Sequence, residues 1–130
     1  MNPASEDIKD ILASIISLNL VFGTSLFIGK MPAKPLKAVV IYDTPGYPPA
    51  MAMDTNTYFY DSVQIKVRDV SYTLASSLIN SIATSLHGRA QETWNGTLYS
   101  SIQIANGPHF LNWDENGYPN FIVNLNLQRR

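Results

Sequence analysis

The side chains able to do chemistry are few. His87 and His109 are the only histidines, and the chain has no cysteine. Thiolate catalysis, a disulfide scaffold and the common zinc sites are therefore excluded. A hydrolase triad needs a base held between a nucleophile and an orienting acid. His87, directly before Gly88, reads instead as the last residue of a helix, where an imidazole suits the dipole. The stretch NWDENG at 112–117 resembles the first half of a calcium loop, but the position that should supply a bidentate glutamate is Val123, inside a strand pattern. It is read as a turn. Asn95, Gly96 and Thr97 form a glycosylation acceptor in composition only; nothing indicates secretion, and a turn leading into a strand is the simpler reading. Asp43, Asp54 and Asp61 make paired acids only if the segment between them folds them together. No glycine-rich phosphate loop is present. No catalytic residue, cofactor or metal is assigned, and an enzyme working through these carboxylates ranks third among the readings.

The elements that would position such groups follow from periodicity. Val63, Ile65 and Val67 alternate with Ser62, Gln64, Lys66 and Arg68, which is the two-residue beat of a strand with one buried face. Leu98, Ser100, Ile102 and Ile104 oppose Tyr99, Ser101 and Gln103 in the same way. Phe121, Val123, Leu125 and Leu127 oppose Asn120, Asn124, Asn126 and Gln128. AVVIYD at 38–43 is a continuous apolar run suited to a central strand. Asp114 to Gly117 supply turn chemistry, so the segments around 109–127 form a terminal hairpin. Leu74, Leu78, Ile82 and Leu86 make a helical stripe beside Ala75, Ile79 and Ala83, with Ser71 as its cap and Gly88 as its stop. The expected architecture is α+β, two helices packed on one face of a mostly antiparallel sheet, in a single domain over 1–130.

Composition narrows the class further. The chain has 130 residues, 45% of them apolar and 15% charged, with a formal net charge of −1. The length suffices for one core. Without a basic field the chain is not built to grip nucleic acid. A charged fraction well under the roughly 25% of ordinary soluble proteins suits a surface covered by partners.

Residues 11–29 carry no charge, so a membrane span is a second reading, that of a small membrane-tethered protein. The pattern opposes it. Ile8, Ile11, Leu12, Ile15 and Ile16 recur at helical spacing, while Lys9, Asp10, Ala13, Ser14 and Ser17 fill the other side. Pro3, Ser5 and the acids Glu6 and Asp7 suit a helix start, and they stand where a signal peptide would be basic. The periodicity stops at 19–23, and Thr24 to Ile28 reads as a short strand. The expectation is a helix, a break and a strand, with no membrane involved.

Residues 44–61, TPGYPPAMAMDTNTYFYD, show no clear element and are expected to be a long loop, with a turn at Pro45 and Gly46. Adaptable methionines and aromatic rings are typical of contact surfaces. Tyr47, Met51, Met53, Tyr58 and Phe59 are accordingly the candidate interface residues, the alternative of equal weight being that some of them fold back to cover the sheet edge.

The segment order AVVIYDTPGYPP, YFYDSVQIKVRD, SYTLASSLINSIATSLHG and NGTLYSSIQIANGPHFLNWDENGYPNFIVNLNL resembles the minor capsid or tail terminator (tail completion) proteins of bacteriophages. The resemblance runs from about Leu26 to Leu127 and rests on framework features: the YDTPG turn, the helix ending in LHG, and GPHFLNWDENGYP before the last strand. It implies a structural, non-enzymatic virion protein that forms a ring, generally a homo-hexamer. Such a ring caps the tail tube, ends tube polymerisation and joins the tail to the head-completion (stopper) protein at the neck. Genome DNA would touch it only in passing through the lumen. The implied locations are the virion and, during assembly, the host cytoplasm. The resemblance assigns no role to Arg129 and Arg130.

Overall fold

The computed structural model describes residues 2–34, 36–51 and 57–130, with backbone only at 47–51 and 57. Helix α1 (Ala4–Ser14) is followed by a 3₁₀ turn (Ile16–Leu18), strands β1 (Leu26–Ile28), β2 (Ala38–Met51) and β3 (Thr57–Arg68), helix α2 (Tyr72–Leu86), and strands β4 (Glu92–Trp94), β5 (Thr97–Trp113) and β6 (Pro119–Arg129). The six strands make one sheet in the order β1-β2-β3-β6-β5-β4. Of the neighbouring strand pairs among the described residues, β1–β2 is parallel and the others are antiparallel. The expected α+β architecture is therefore present, with α1 lying over β1, β2 and β3 and α2 over β3, β5 and β6.

Strand parity sorts the residues between the two faces. Val63, Ile65 and Val67 on β3 and Phe121, Val123, Leu125 and Leu127 on β6 turn toward the helices and join Ile8, Ile11, Leu12, Ile79, Ile82 and Leu86 in the core. The alternate residues form an open face in which Ser62 Oγ donates to Asn126 Oδ1 (3.0 Å) and Gln64 Nε2 to Asn124 Oδ1 (3.2 Å). Part of that face is covered by the chain between β1 and β2, which Arg68 holds down: its Nε donates to the Leu36 carbonyl (2.9 Å) and its Nη2 to that of Pro32 (2.7 Å).

Both helices begin as the sequence suggests, each with its own cap. Ser71 Oγ accepts from the Leu74 amide (3.2 Å) at the start of α2. At α1 the acceptor comes from β2: Asp43 takes the Ser5 amide on Oδ1 (3.0 Å) and the Ser5 hydroxyl on Oδ2 (2.6 Å). One orphan amide of the first turn is thus satisfied by a carboxylate, whose charge also favours the helix dipole. Gly88, at φ +86°, turns the chain away after α2.

Four expectations need correction. First, 44–61 is not one long loop. β2 continues through Pro45 to Met51 and β3 begins at Thr57, with register shifts between Thr44 and Tyr47 and between Tyr47 and Ala50. Pro45 and Gly46 lie in a bulge, the position in a sheet where a residue without an amide proton is tolerated. Second, Leu98 and Tyr99 exchange faces: a bulge between Tyr99 and Ser101 puts Tyr99 inside with Ile102, both 0% exposed. Third, the strand over 98–104 and FLNW are parts of one strand, β5. Fourth, α1 ends at Ser14 with Ile15 extended (ψ 102°), so Ile16 falls in the 3₁₀ turn and is 93% exposed, and Leu74 on α2 is half exposed. No helix among the described residues is long and apolar enough to cross a membrane.

Candidate interaction surfaces

The possible chemical sites are occupied by structural duties. Asp114 Oδ1 accepts from the amides of Asn116 (2.9 Å) and Tyr118 (2.8 Å), an Asx-type turn that closes the β5–β6 hairpin. His87 Nδ1 accepts the Ile104 amide (3.0 Å), fixing the end of α2 to β5. Asn95 and Gly96, both at positive φ, make the two-residue turn between β4 and β5. Among the described residues no group of histidine, aspartate and glutamate could hold a metal ion. Asp43 caps α1, Asp61 pairs with Arg129 and Asp54 lies outside the described residues, so the two that can be followed serve separate contacts.

Asp61 belongs to a polar network, centred on the buried Asp7, Tyr99 and Arg129, that sequence reasoning missed. Asp7 on α1 is 0% exposed; it accepts from Tyr99 Oη and from Asn95 Nδ2 (2.6 Å), and Arg129 Nη1 stands 3.6 Å away. Arg129 Nε donates to Asp61 Oδ2 (2.5 Å) and its Nη1 to the Asn2 carbonyl (2.8 Å). Burial, then the hydrogen bond to Asp7, push the Tyr99 phenol above its ordinary value. For Arg129 burial works to lower the pKa, yet the Asp61 and Tyr99 contacts together raise it. The signal available in the sequence was parity: Phe121, Val123, Leu125 and Leu127 lead by twos to Arg129, so the arginine shares the inner face.

The candidate interface residues lie at one end of the sheet, on the β2–β3 arm. Tyr47 pairs across the strands with Tyr60 and Met51 with Thr57, while Met53 lies outside the described residues. Tyr58 and Phe59 are half-buried. Tyr58 Oη accepts from Arg130 Nη1 (2.9 Å), and the Arg130 guanidinium sits 5.3 Å from the Tyr58 ring centre. The arm is thus tied to the chain terminus through the cation that the sequence left without a role.

At the opposite end the surface is apolar. Tyr72 meets Phe110, Trp113 and Phe121 with ring centres 5.4, 6.1 and 4.9 Å apart, and Val70, Tyr72, Leu74, Leu111 and Trp113 are each 42–56% exposed. Beside this patch an open cleft of about 820 Å³ runs between Phe22, Phe27, Met31 and Pro32 on one side and Asp114 to Asn116 on the other. Large apolar groups left in water mark interaction surfaces or ligand-binding grooves. The β2–β3 arm at one end of the sheet and the exposed apolar side chains at the other give the chain two surfaces suited to contacts with other proteins.

Comparison with known proteins gives the family. Residues 14–130 match the bacteriophage tail terminator protein family, and the chain belongs to it. It is a structural protein of the virion tail. No curated protein matches the chain. Among solved structures a chain from "Virion of native gene transfer agent (GTA) particle" shares the fold with a TM-score of 0.68 at 13% identity, covering 96% of this chain and 92% of that one. The matched family segment begins at the last residue of α1, so the helix carrying Asp7 lies almost wholly ahead of it.

Proposed function

We propose that the chain, acting as a single domain, is the tail terminator of a tailed phage: a homo-hexameric ring that caps the tail tube, stops its polymerisation and offers a docking surface to the stopper protein at the neck. The reading is carried by family membership over 14–130. The distribution of surface chemistry supports it. A cyclic ring needs two different patches on each subunit, and the molecule has an aromatic arm at one end of its sheet and an exposed apolar patch at the other. The open sheet face carries Ser62, Gln64, Asn124, Asn126 and Gln128, with Lys66, Arg68 and Arg130 its basic members, and Arg68 and Arg130 are already engaged. A neutral lumen suits passage of DNA, because phosphate affinity comes mainly from lysine and arginine.

Tyr47, Met51, Met53, Tyr58 and Phe59 are assigned to contacts with the tube or with the neighbouring subunit. In this role the protein performs no catalysis, and it assembles in the host cytoplasm before joining the virion. Native mass measurement and electron microscopy of the purified protein, alone and with tail tube protein, test the reading. Rings are expected; monomers alone under both conditions would overturn it. Alanine at Met51, Met53 and Phe59 tests the arm: unchanged ring formation and tube binding would remove it from the interface.

A further inference from the structure

Among the described residues the sheet leaves two edges open along part of their length. On β5, the outer side is paired only in its first half: by β4 at Thr97 to Tyr99, by the Arg89 bridge at Ile102, and by His87 at the Ile104 amide. From Ala105 to Trp113 no described strand lies against it. On β2, the outer side is paired by β1 only from Val39 to Ile41, with the Gly29 amide on the Ile41 carbonyl (2.9 Å) as the last contact. Beyond Ile41 that side too has no described strand.

Proteins that remain single guard such edges, typically with lysine or another charge. The β5 run ANGPHFLNW has no Lys, Arg, Asp or Glu, and it leaves Leu111 and Trp113 exposed, Trp113 beside Tyr72. The β2 run has one charge, Asp43, already engaged by Ser5. Pro108 on β5 and Pro45, Pro48 and Pro49 on β2 each remove one donor, and bulges interrupt both strands, which restricts pairing to particular registers without abolishing it.

We infer that the β5 edge at 105–113 receives the β2 edge of a second copy of this chain, so that the sheet of one subunit continues into the next. The inference rests on the ring reading and specifies the subunit contact within it. β2, β3, β6 and β5 are successively antiparallel, so β2 and β5 run in opposite directions and a copy that continues the sheet places its β2 antiparallel on β5. Each subunit then gives one edge and accepts another, the heterologous contact that closes by rotation. The free half of β5 and the free half of β2 lie at opposite ends of the sheet. The neighbour is therefore displaced along the strands, as in any closed arrangement whose strands are inclined to the ring axis.

Hydrogen exchange on the full chain, compared between assembled and dissociated protein, reads the contact without assuming a register. Amides of 105–113 and 42–46 are expected to slow by at least about tenfold on assembly. Because the chain is free of cysteine, Thr44→Cys chains mixed with Leu111→Cys chains provide a second readout. Cross-strand Cβ atoms lie about 5 Å apart, so a short bis-maleimide should yield mixed dimers, with far fewer from either variant alone. Leu111→Lys, placed on an exposed position, should keep the circular dichroism of the folded chain and weaken association at least about tenfold, as an edge charge does. Rings that form with no added protection at 105–113 and no cross-link would overturn the edge pairing while leaving the terminator reading in place. Monomers under every condition, with or without tail tube protein, would overturn both.

Discussion

Tyr99 donates its phenolic proton to Oδ2 of Asp7, and both side chains are fully out of solvent. This bond ties the helix lying ahead of the matched family segment to the strand that carries the second half of the sheet. Asp7 has a further donor in Asn95, and Arg129 lies close by, so its charge is compensated inside the fold. Removing one member of such a set costs more than the bond itself, because the others stay buried without a partner. Asp7→Ala should lower unfolding free energy by about 3–5 kcal/mol, and Tyr99→Phe by about 1–3 kcal/mol. Chemical denaturation of both single variants and the double variant measures their coupling, which should exceed about 0.5 kcal/mol in magnitude.

The same bond sets a response to alkali. Burial first, then Asp7, hold the Tyr99 phenol above the roughly 10 at which an unfolded tyrosine titrates. A group raised in the folded state keeps its full contribution below the unfolded pKa and loses it as pH climbs toward the folded value. Denaturation midpoints should therefore be flat up to about pH 9.5 and fall above about pH 10. Tyr99→Phe should flatten the fall, and an identical slope in the variant would show that other groups cause it.

The bulge in β2 depends on a missing side chain. A Cβ on Gly46 would stand 2.0 Å from the Tyr60 carbonyl oxygen and 2.9 Å from the Asp61 Cα, both backbone atoms that cannot swing aside. Gly46→Ala should thus separate β2 from β3 locally, costing about 1–3 kcal/mol and speeding hydrogen exchange along the β2–β3 arm. Unchanged stability and exchange would mean that the close approach is not maintained.

Two isoleucines five residues apart should behave oppositely. Ile11 is 0% exposed in the core, so Ile11→Ala should cost about 2–5 kcal/mol. Ile16 is 93% exposed, and Ile16→Ser should stay within about 0.5 kcal/mol of the parent. Thermal and urea melts of the pair locate the end of α1 directly, because a helix continuing through Ile16 would bury both.

Repeating patterns were legible along the chain. Ser71 and Gly88 bound α2 as their types suggest, and the alternation on β3 and β6 predicted their inner faces residue by residue. Failures came where one residue changes the phase. The bulge after Tyr99 reversed the reading of Leu98 and Tyr99, and the bulges at Pro45 and Gly46 disguised a strand as a loop. A bulge is set by the partner strand, which local composition does not contain.

The division follows the range of the interactions. Apolar alternation, cap residues and turn residues act over a few positions, so the chain's own order determined its α+β class and the inner faces of β3 and β6. Framework segments shared with a family pointed to tail assembly. Only tertiary structure decided that Asp43 would cap a helix 38 residues away, that Arg129 would meet Asp61 and come within reach of Asp7, and that β2 and β5 would be left with open edges. Those outcomes depend on which strands become neighbours, and strand neighbours are selected by burial of the whole core at once rather than by any segment alone.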